Sequence, residues 1–327
     1  MKKPVFLLLA AACLLPWVTP ALALGAGLVL ALTMGNPFAR ESSRWSKLLL
    51  QACVVGLGFG MPLAAVLRAG AAGVGYTVAG IATALTLGLL LGRWLGVRGE
   101  TSVLITAGTS ICGGSAIAAM GPAIGAREDS MGIALATVFV LNAVALYLFP
   151  PIGHLLGLTQ GQFAVWAAIA IHDTSSVVGA AAQYGPEALQ RATVLKLARA
   201  LWIVPLTFAA AAWARSRAAA AVAGAPPAGA ASDAPAAAPR VRVKAPWFIG
   251  LFLLAAIART LLPASVDPAL DLLARAARAG LALTLFLIGA GLTRAVLRRV
   301  GARPMVQGVM LWAAVASLTL YAVWRWV

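Results

Sequence analysis

IHDTSSVVGAA, residues 171–181, places a histidine beside an aspartate inside an apolar run long enough to span a membrane. Of the nine acidic residues in the chain, Asp173 is the only one that we place inside the bilayer. An ionisable residue at that depth costs at least about 2.5–3.5 kcal/mol on insertion scales, so it marks a functional site. A second irregular stretch, GTSICGGSAIAAMGP at 108–122, combines glycines with hydroxyl side chains. Together the two stretches predict a polyspanning transporter whose binding site is built from interrupted helices.

The composition excludes a soluble domain. Of the 327 residues, 62% are hydrophobic and only 10% are charged, whereas soluble domains carry about 25% charged residues. Every membrane span must satisfy its own backbone hydrogen bonds, so we predict an all-α membrane protein. The net charge of +16 lies in short loops, which indicates topogenic charge rather than nucleic-acid binding. The three cysteines fit neither a disulfide framework nor a metal site, and no nucleotide-binding loop or hydrolase elbow is present.

Apolar segments recur along almost the whole chain, and we predict ten or eleven transmembrane helices. The segments are 4–19, 21–36, 47–67, 70–92, 101–121, 130–151, 162–182, 189–213, 246–262, 276–293 and 304–324. A cytoplasmic N-terminus puts sixteen of the twenty-five basic residues in cytoplasmic loops and seven on the other side, as the positive-inside rule expects. The alternative for the first segment is a cleaved signal peptide ending at an A-x-A site, 21–23.

Residues 215–245, rich in Ala and Pro, predict a cytoplasmic linker between an eight-span block, 1–214, and a three-span block, 246–327. Segment 56–70 aligns with 287–301 in the opposite predicted orientation, which indicates an inverted repeat; the alternative is a match by composition.

A second correspondence pairs Thr109, Ser110 and Gly114 with Thr174, Ser175 and Gly179 at an offset of 65 positions. The predicted topology makes those two segments parallel, which an inverted repeat forbids. Either one of the segments is a re-entrant hairpin, or the match arises by chance.

In the 108–122 stretch the pair Gly113-Gly114 predicts a helix break, because each glycine weakens a helix by about 1 kcal/mol. The amides freed at such a break suit an anionic ligand. Thr109, Ser110 and Ser115 add hydroxyl donors. The alternative is a face of small residues at which two helices approach closely.

In the 171–181 stretch, five consecutive polar residues occupy every face of a helix. They are His172, Asp173, Thr174, Ser175 and Ser176. His172 titrates near neutral pH and Asp173 could accept its proton, so this pair predicts a site for a coupling ion, either a proton or sodium. The alternative is a hydrogen-bonded pair that only fixes helix contacts.

Lys196 and Arg199 share one helical face at i,i+3 spacing. Two cations at that depth need an anion, and we predict that they bind the transported one. The alternatives are pairing with Asp173 or snorkelling to the outer interface. Asn142, within another apolar segment, is a secondary candidate for hydrogen bonding between helices or for lining a cavity.

The elements Ser110–Gly113, His172-Asp173 and Lys196–Arg199, in this order and spacing, resemble a bacterial family of membrane proteins described as sulfate exporters. The resemblance covers the chain from about residue 21 onward. It implies a multi-pass transporter of the bacterial inner membrane, distantly similar to the bile-acid/sodium and arsenite transporter superfamily with its crossed, discontinuous helices. It also implies sulfate or a sulfonate-derived anion as the substrate.

We therefore predict a secondary transporter that exports a small anion by alternating access, with the site formed where 108–115 and 172–176 approach each other. Thr174, Ser175 and Ser176 are predicted to bind the anion together with the residues of 108–115. We predict no cofactor, no bound metal and no enzymatic activity. One rival is a sodium-coupled symporter for a carboxylate or another organic anion. A rival of another class is an intramembrane enzyme that uses Ser110 or Cys112 with His172. The sequence predicts the lipid bilayer, the anion and the coupling ion as partners, and gives no oligomeric state.

Overall fold

The computed structural model describes residues 2–15, 17–223, 247–293 and 301–327, and the described part is helical with no β-strand. The all-α membrane fold predicted from composition is therefore confirmed. The helices are α1 Lys2–Ala12, α2 Pro20–Thr33, α3 Ala39–Gly58, α4 Leu63–Trp94, α5 Gly99–Ser110, α6 Gly114–Ala123, α7 Glu128–Leu155, α8 Gln160–Ala170, α9 Thr174–Tyr184, α10 Pro186–Ala200, α11 Ile203–Ala223, α12 Trp247–Leu261, α13 Asp267–Gly291 and α14 Ala302–Trp326.

Five stretches in the described part are long and apolar enough to cross a membrane. They are Leu63–Trp94, Glu128–Leu155, Pro186–Ser216, Ala264–Gly291 and Ala302–Trp326. The stretches at 108–122 and 171–181 are not among them, because the helix is interrupted at each. A break at 111–113 separates α5 from α6, and a break at 171–173 separates α8 from α9. The predicted interruptions are confirmed.

The chain turns back at the first break, so that α5 and α6 form a helical hairpin, 99–123. The backbone N–H of Arg127 donates a 3.0 Å hydrogen bond to Glu100 Oε2, although the two residues are 27 positions apart. A continuous helix of that length would separate them by about 40 Å. Leu104 of α5 and Met120 of α6 also belong to one buried cluster. We call this element the first hairpin and residues 111–113 the first tip.

The chain turns back at the second break as well, and α8 and α9 form the second hairpin, 160–184, with its tip at 171–173. Gln160 Oε1 accepts a 2.9 Å hydrogen bond from the backbone N–H of Glu187. The rings of Phe163 and Tyr184 stack with their centroids 3.8 Å apart. Both contacts require the beginning of α8 to lie beside the end of α9.

The two hairpins enter from opposite faces of the protein. Helix α7 has 28 residues, about 42 Å in length, and it leads from the end of the first hairpin to the beginning of the second. Asn142, at the middle of α7, accepts a 3.0 Å hydrogen bond from the backbone N–H of His172 in the second tip. The tips therefore meet at half depth, which is where secondary transporters place their binding sites.

This topology corrects two predictions made from the sequence. Segments 101–121 and 162–182 were both expected to cross the membrane, whereas both turn back. Helix α7 consequently runs in the opposite direction to the predicted one, and Arg127 lies on the same face as Glu100 and Arg98 rather than on the opposite face. Relative to the helices before the first hairpin, α10 and the helices after it keep the predicted direction, because the two differences cancel.

The paired hairpins also answer the question raised by the offset of 65 positions. Both segments are re-entrant, but the N-cap residues of their second helices, Gly113 and Asp173, are 60 positions apart. Thr109 precedes its break whereas Thr174 follows its own. An offset of 65 positions therefore does not align the breaks of the two hairpins, and we attribute this sequence match to composition.

The hairpins lie among α4, α7, α10 and α14, while α2, α3, α12 and α13 pack together beside them. Helices α3 and α13 are antiparallel, because Asn36, before α3, donates a 2.9 Å hydrogen bond to the carbonyl of Ala290 at the end of α13. This direction agrees with the predicted inverted repeat of 56–70 and 287–301, of which positions 294–300 lie outside the described residues. Helix α11 continues into the predicted linker as far as Ala223, and 224–245 lie outside the described residues.

The hairpin topology predicts which loops are labelled together. Single cysteines at Arg98 and Asp129, which flank the first hairpin, should react with a membrane-impermeant maleimide from the same face. A cysteine at Leu156, which follows α7, should react from the other face. The three native cysteines are buried, so their background should be low. Labelling of Arg98→Cys together with Leu156→Cys, and apart from Asp129→Cys, would show that the first hairpin crosses the membrane.

Candidate functional site

The two hairpin tips touch at Gly113 and Asp173, and we call this contact the crossing. Gly113 has φ 66° and ψ −127°, a conformation that side chains strongly disfavour. A Cβ atom on Gly113 would lie 3.1 Å from Cβ of Asp173 and 3.4 Å from its backbone N and Cα. Only glycine therefore allows the first tip to make its turn at this distance from the second.

Each second half-helix begins at the crossing, with its positive N-terminal end inside the protein. The N-terminal end of α6 has no side-chain cap. The N-terminal end of α9 is capped by Asp173, whose Oδ1 accepts a 2.9 Å hydrogen bond from the backbone N–H of Ser176. The hydroxyl of Ser175 donates to the other carboxylate oxygen of Asp173. The one acidic residue predicted to lie in the bilayer thus serves, in part, as a helix cap.

Each first half-helix ends at the crossing, and its carbonyl groups are bound by the two cations of α10. Lys196 and Arg199 expose 0% and 1% of their surface. Lys196 Nζ donates to the carbonyl oxygens of Ile171 at 2.7 Å and Ala168 at 3.2 Å. Arg199 bridges the two hairpins, since its Nε donates to Ser110 O at 2.8 Å and its Nη1 to Ile169 O at 2.9 Å. A third bond runs from Arg199 Nη2 to Thr109 O at 3.3 Å.

Neither cation has an acidic partner in the part of the chain that the structure describes. The ion pairs found there, between Arg127 and Asp129, Arg191 and Glu187, and Arg259 with two aspartates, all lie elsewhere. The structure therefore shows neither of the alternatives that we considered for Lys196 and Arg199. They do not pair with Asp173, and their complete burial excludes snorkelling to the interface.

His172 is buried beside the crossing but is not bonded to Asp173. Its exposed fraction is 1%, and among the described residues neither of its ring nitrogens has a hydrogen-bond partner. The alternative of a hydrogen-bonded His–Asp pair is therefore not seen. Asn142 accepts backbone hydrogen bonds from both residues, at 3.0 and 3.3 Å, and its amide nitrogen has no partner in the described part. Asn142 therefore binds the second tip directly, although the sequence made it only a secondary candidate. The signal for this larger role was a polar residue halfway along an apolar helix.

The other predicted site residues divide into buried and accessible ones. Thr109 and Ser110 are buried at the end of α5, where Ser110 Oγ donates to the carbonyl of Thr106 at 2.6 Å. This bond gives no support to Ser110 as an enzymatic nucleophile activated by His172. Ser175 and Ser176 are buried as well. The crossing is accessible at exposed Ser115 and at half-buried Gly114, Asp173 and Thr174.

On the side of Arg199 the crossing is closely packed in this conformation. Arg199 borders a cavity of about 10 Å³, next to Tyr76 and Ile169, which is room for about one water molecule. A larger cavity, about 480 Å³, lies away from the crossing among α3, α12 and α13 and is lined mostly by apolar residues. Access of a ligand to the buried part of the crossing therefore requires a change of conformation.

The comparisons with known proteins agree with the membrane fold. The family model described as "Conserved hypothetical protein 698" matches residues 9–308. The chain is 49% identical to the UPF0324 membrane protein Bd1437 of Bdellovibrio bacteriovorus, over 99% of this chain and 94% of the relative. It is 46% identical to the UPF0324 membrane protein GSU2818 of Geobacter sulfurreducens, over 98% and 96%. A UPF0324 membrane protein of Bacteroides thetaiotaomicron is also 46% identical, over 93% and 86%. No solved structure matches the chain.

Proposed function

We propose that this chain, which belongs to the conserved hypothetical protein 698 family of UPF0324 membrane proteins, is a secondary transporter of small anions. The observation that carries the proposal is the charge at the crossing. Two fully buried cations, Lys196 and Arg199, stand against one acidic residue, Asp173, and form no ion pair in the described part. A transported anion would balance the remaining positive charge.

The cost of this arrangement supports transport over a purely structural role. Each charged side chain at mid-depth costs at least about 2.5–3.5 kcal/mol, a cost that well-packed apolar side chains in the same place would avoid. Two discontinuous elements that meet from opposite faces at half depth are typical of secondary transporters, in which positive half-helix ends point at anionic substrates. The tight packing around Lys196 and Arg199 supports alternating access, because a ligand that reaches the buried side of the crossing needs the surrounding helices to move.

The accessible groups at the crossing are those that we propose as direct ligands of the anion. They are the backbone N–H groups of Gly114 and Ser115 at the uncapped end of α6, together with the hydroxyls of Ser115 and Thr174. Lys196 and Arg199 already donate to five carbonyl groups. We therefore propose that they act on the anion mainly through their charge and by holding both tips, which revises the direct contact predicted from sequence.

The proposal also includes the substrate, the direction of transport, the location, the orientation in the membrane and the coupling ion. The resemblance to sulfate exporters supports sulfate or a sulfonate-derived anion as the substrate, export as the direction and the bacterial inner membrane as the location. The names of the relatives specify no substrate. A cytoplasmic N-terminus rests on the distribution of basic residues, to which Arg127 now adds on the face predicted to be cytoplasmic. We propose His172 and Asp173 as the coupling element, with a proton as the ion.

The function is tested by heating the purified protein with a panel of anions in sodium-free buffer. We expect sulfate or an alkyl sulfonate to raise the melting temperature, because a ligand at 100 times its Kd stabilises a protein by about 2.7 kcal/mol. Lys196→Met should weaken this binding about ten- to a hundred-fold, because it removes one of the two buried positive charges that attract the anion.

Arg191→Met is the matched control, since Arg191 lies on the same helix but pairs with Glu187 at the surface. This variant should bind the anion as the wild type does. The proposal fails if no anion in the panel raises the melting temperature and none crosses the membrane of proteoliposomes that contain the protein.

A further inference from the structure

The ends of α5 and α8 form a second site at the crossing, one of opposite polarity to the anion site. The last four carbonyl groups of a helix have no partner within it, and together they carry about half a negative charge. In secondary transporters, half-helix C-terminal ends and unwound carbonyl groups are the places that bind the coupling sodium ion or proton. Two such ends converge on α10 here, one from each hairpin.

In this chain, cationic side chains already occupy both ends. The Lys196 ammonium lies 2.7 and 3.2 Å from two carbonyl oxygens of the second hairpin, those of Ile171 and Ala168. The Arg199 guanidinium takes two carbonyls of the first hairpin, those of Ser110 and Thr109, and one of the second, that of Ile169. All five oxygens belong to the last residues of the two first half-helices or to the break that follows.

We infer that Lys196 and Arg199 are tethered cations that take the places of coupling sodium ions at the hairpin tips. Lys196 is the closer substitute, because an ammonium is a compact point charge like a metal ion. Arg199 has a wider reach, and its bonds to both hairpins hold the tips in one geometry. Both side chains are positioning residues, since their nitrogen atoms contact the backbone of the tips.

The consequence is that the protein works without sodium. This consequence rests on the proposed transport function, whereas the occupancy of the carbonyl sites by side chains does not. It also separates the anion exporter from its rival, the sodium-coupled symporter, because the carbonyl groups that would bind sodium are already engaged. A proton would then be the coupling ion, at His172 and Asp173.

The experiment compares melting temperatures of the purified protein in sodium, potassium and choline chloride at equal chloride concentration, with no added anion. The wild type should melt at the same temperature in all three salts. Lys196→Ala leaves two buried carbonyl groups without a partner and should melt at least about 5 °C lower in choline. Because the missing ammonium leaves space for a small cation, sodium should restore a large part of that loss, and more than potassium does.

Lys196→Ser, which adds a hydroxyl oxygen to the same space, is the second variant and should show the same rescue by sodium. Arg191→Ala, on the surface of the same helix, is the control and should respond to no salt. Stabilisation of the wild type by sodium would overturn the inference, as would the same melting temperature for both Lys196 variants in all three salts. A protein that fails the anion panel but shows rescue by sodium would refute the transport function and leave the tethered cations standing.

Discussion

Replacing Gly113 with alanine should reduce anion transport by at least about 100-fold in a protein that still inserts into the membrane. The new Cβ has two costs. At φ 66° and ψ −127° it strains the backbone by about 1–3 kcal/mol, and it lies 3.1 Å from Cβ of Asp173, so that the two tips must separate. A displacement of about 1 Å between groups that act together is enough for an effect of this size. The measurement is uptake of the identified anion into proteoliposomes.

Gly125→Ala is the matched control for Gly113→Ala. Gly125 follows the same hairpin and has a similar φ of 64°, but no atom lies within 4 Å of the position that a Cβ would take there. This variant introduces backbone strain without a contact and should transport at close to the rate of the wild type. Equal losses in the two variants would show that strain alone is responsible and that the contact between the tips has no functional part.

The sequence predicted the two interruptions but not the turn of the chain at each of them. Gly113-Gly114 and the polar run after Ile171 are incompatible with an uninterrupted apolar helix, and that incompatibility can be read locally. The turn depends on tertiary contacts such as Arg127 with Glu100 and Gln160 with Glu187, whose partners are 27 positions apart in each case. Segments 101–121 and 162–182 also have the length of a full crossing, so length and hydropathy could not distinguish a hairpin from a span.

The pairing of His172 with Asp173 was expected from their adjacency, and the backbone explains why it does not occur. The chain is extended around the second tip, with ψ 130° at Ile171 and 160° at Asp173. Consecutive side chains of an extended chain point to opposite sides, so neighbours in sequence are separated in space. Adjacency would have brought the two groups together only with a different local conformation.

The burial of Lys196 and Arg199 could be predicted from the apolar helix around them, but their partners could not. Their i,i+3 spacing correctly placed both on one face of α10. A search for a partner among acidic side chains then missed the carbonyl groups, because every residue carries one and the sequence does not show which are left unpaired. Only the breaks at 111–113 and 171–173 create those unpaired groups, and only the packing of α10 places the two cations against them.

Replacing Asp173 with asparagine should abolish gradient-driven transport while preserving the fold and the binding of the anion. Asparagine is as good an N-cap as aspartate, so the hydrogen bond to the Ser176 N–H can be kept while the charge is lost. Removing the one acid at the crossing leaves two cations, and anion affinity should therefore stay the same or rise. The measurement is flux in proteoliposomes under an imposed pH gradient, together with the shift in melting temperature caused by the anion.

A companion variant separates the charge of Asp173 from its role as a cap. Asp173→Ala removes both and should cost about 0.5–2 kcal/mol of stability, the usual loss for an N-cap, whereas Asp173→Asn should not. His172→Gln, which removes the imidazole without adding a charge, should alter the pH dependence of gradient-driven transport relative to the wild type. If Asp173→Asn still follows the pH gradient as the wild type does, the carboxylate is only a helix cap. Proton coupling must then be sought among the other groups at the crossing, since the tethered cations occupy the carbonyl groups that would bind sodium.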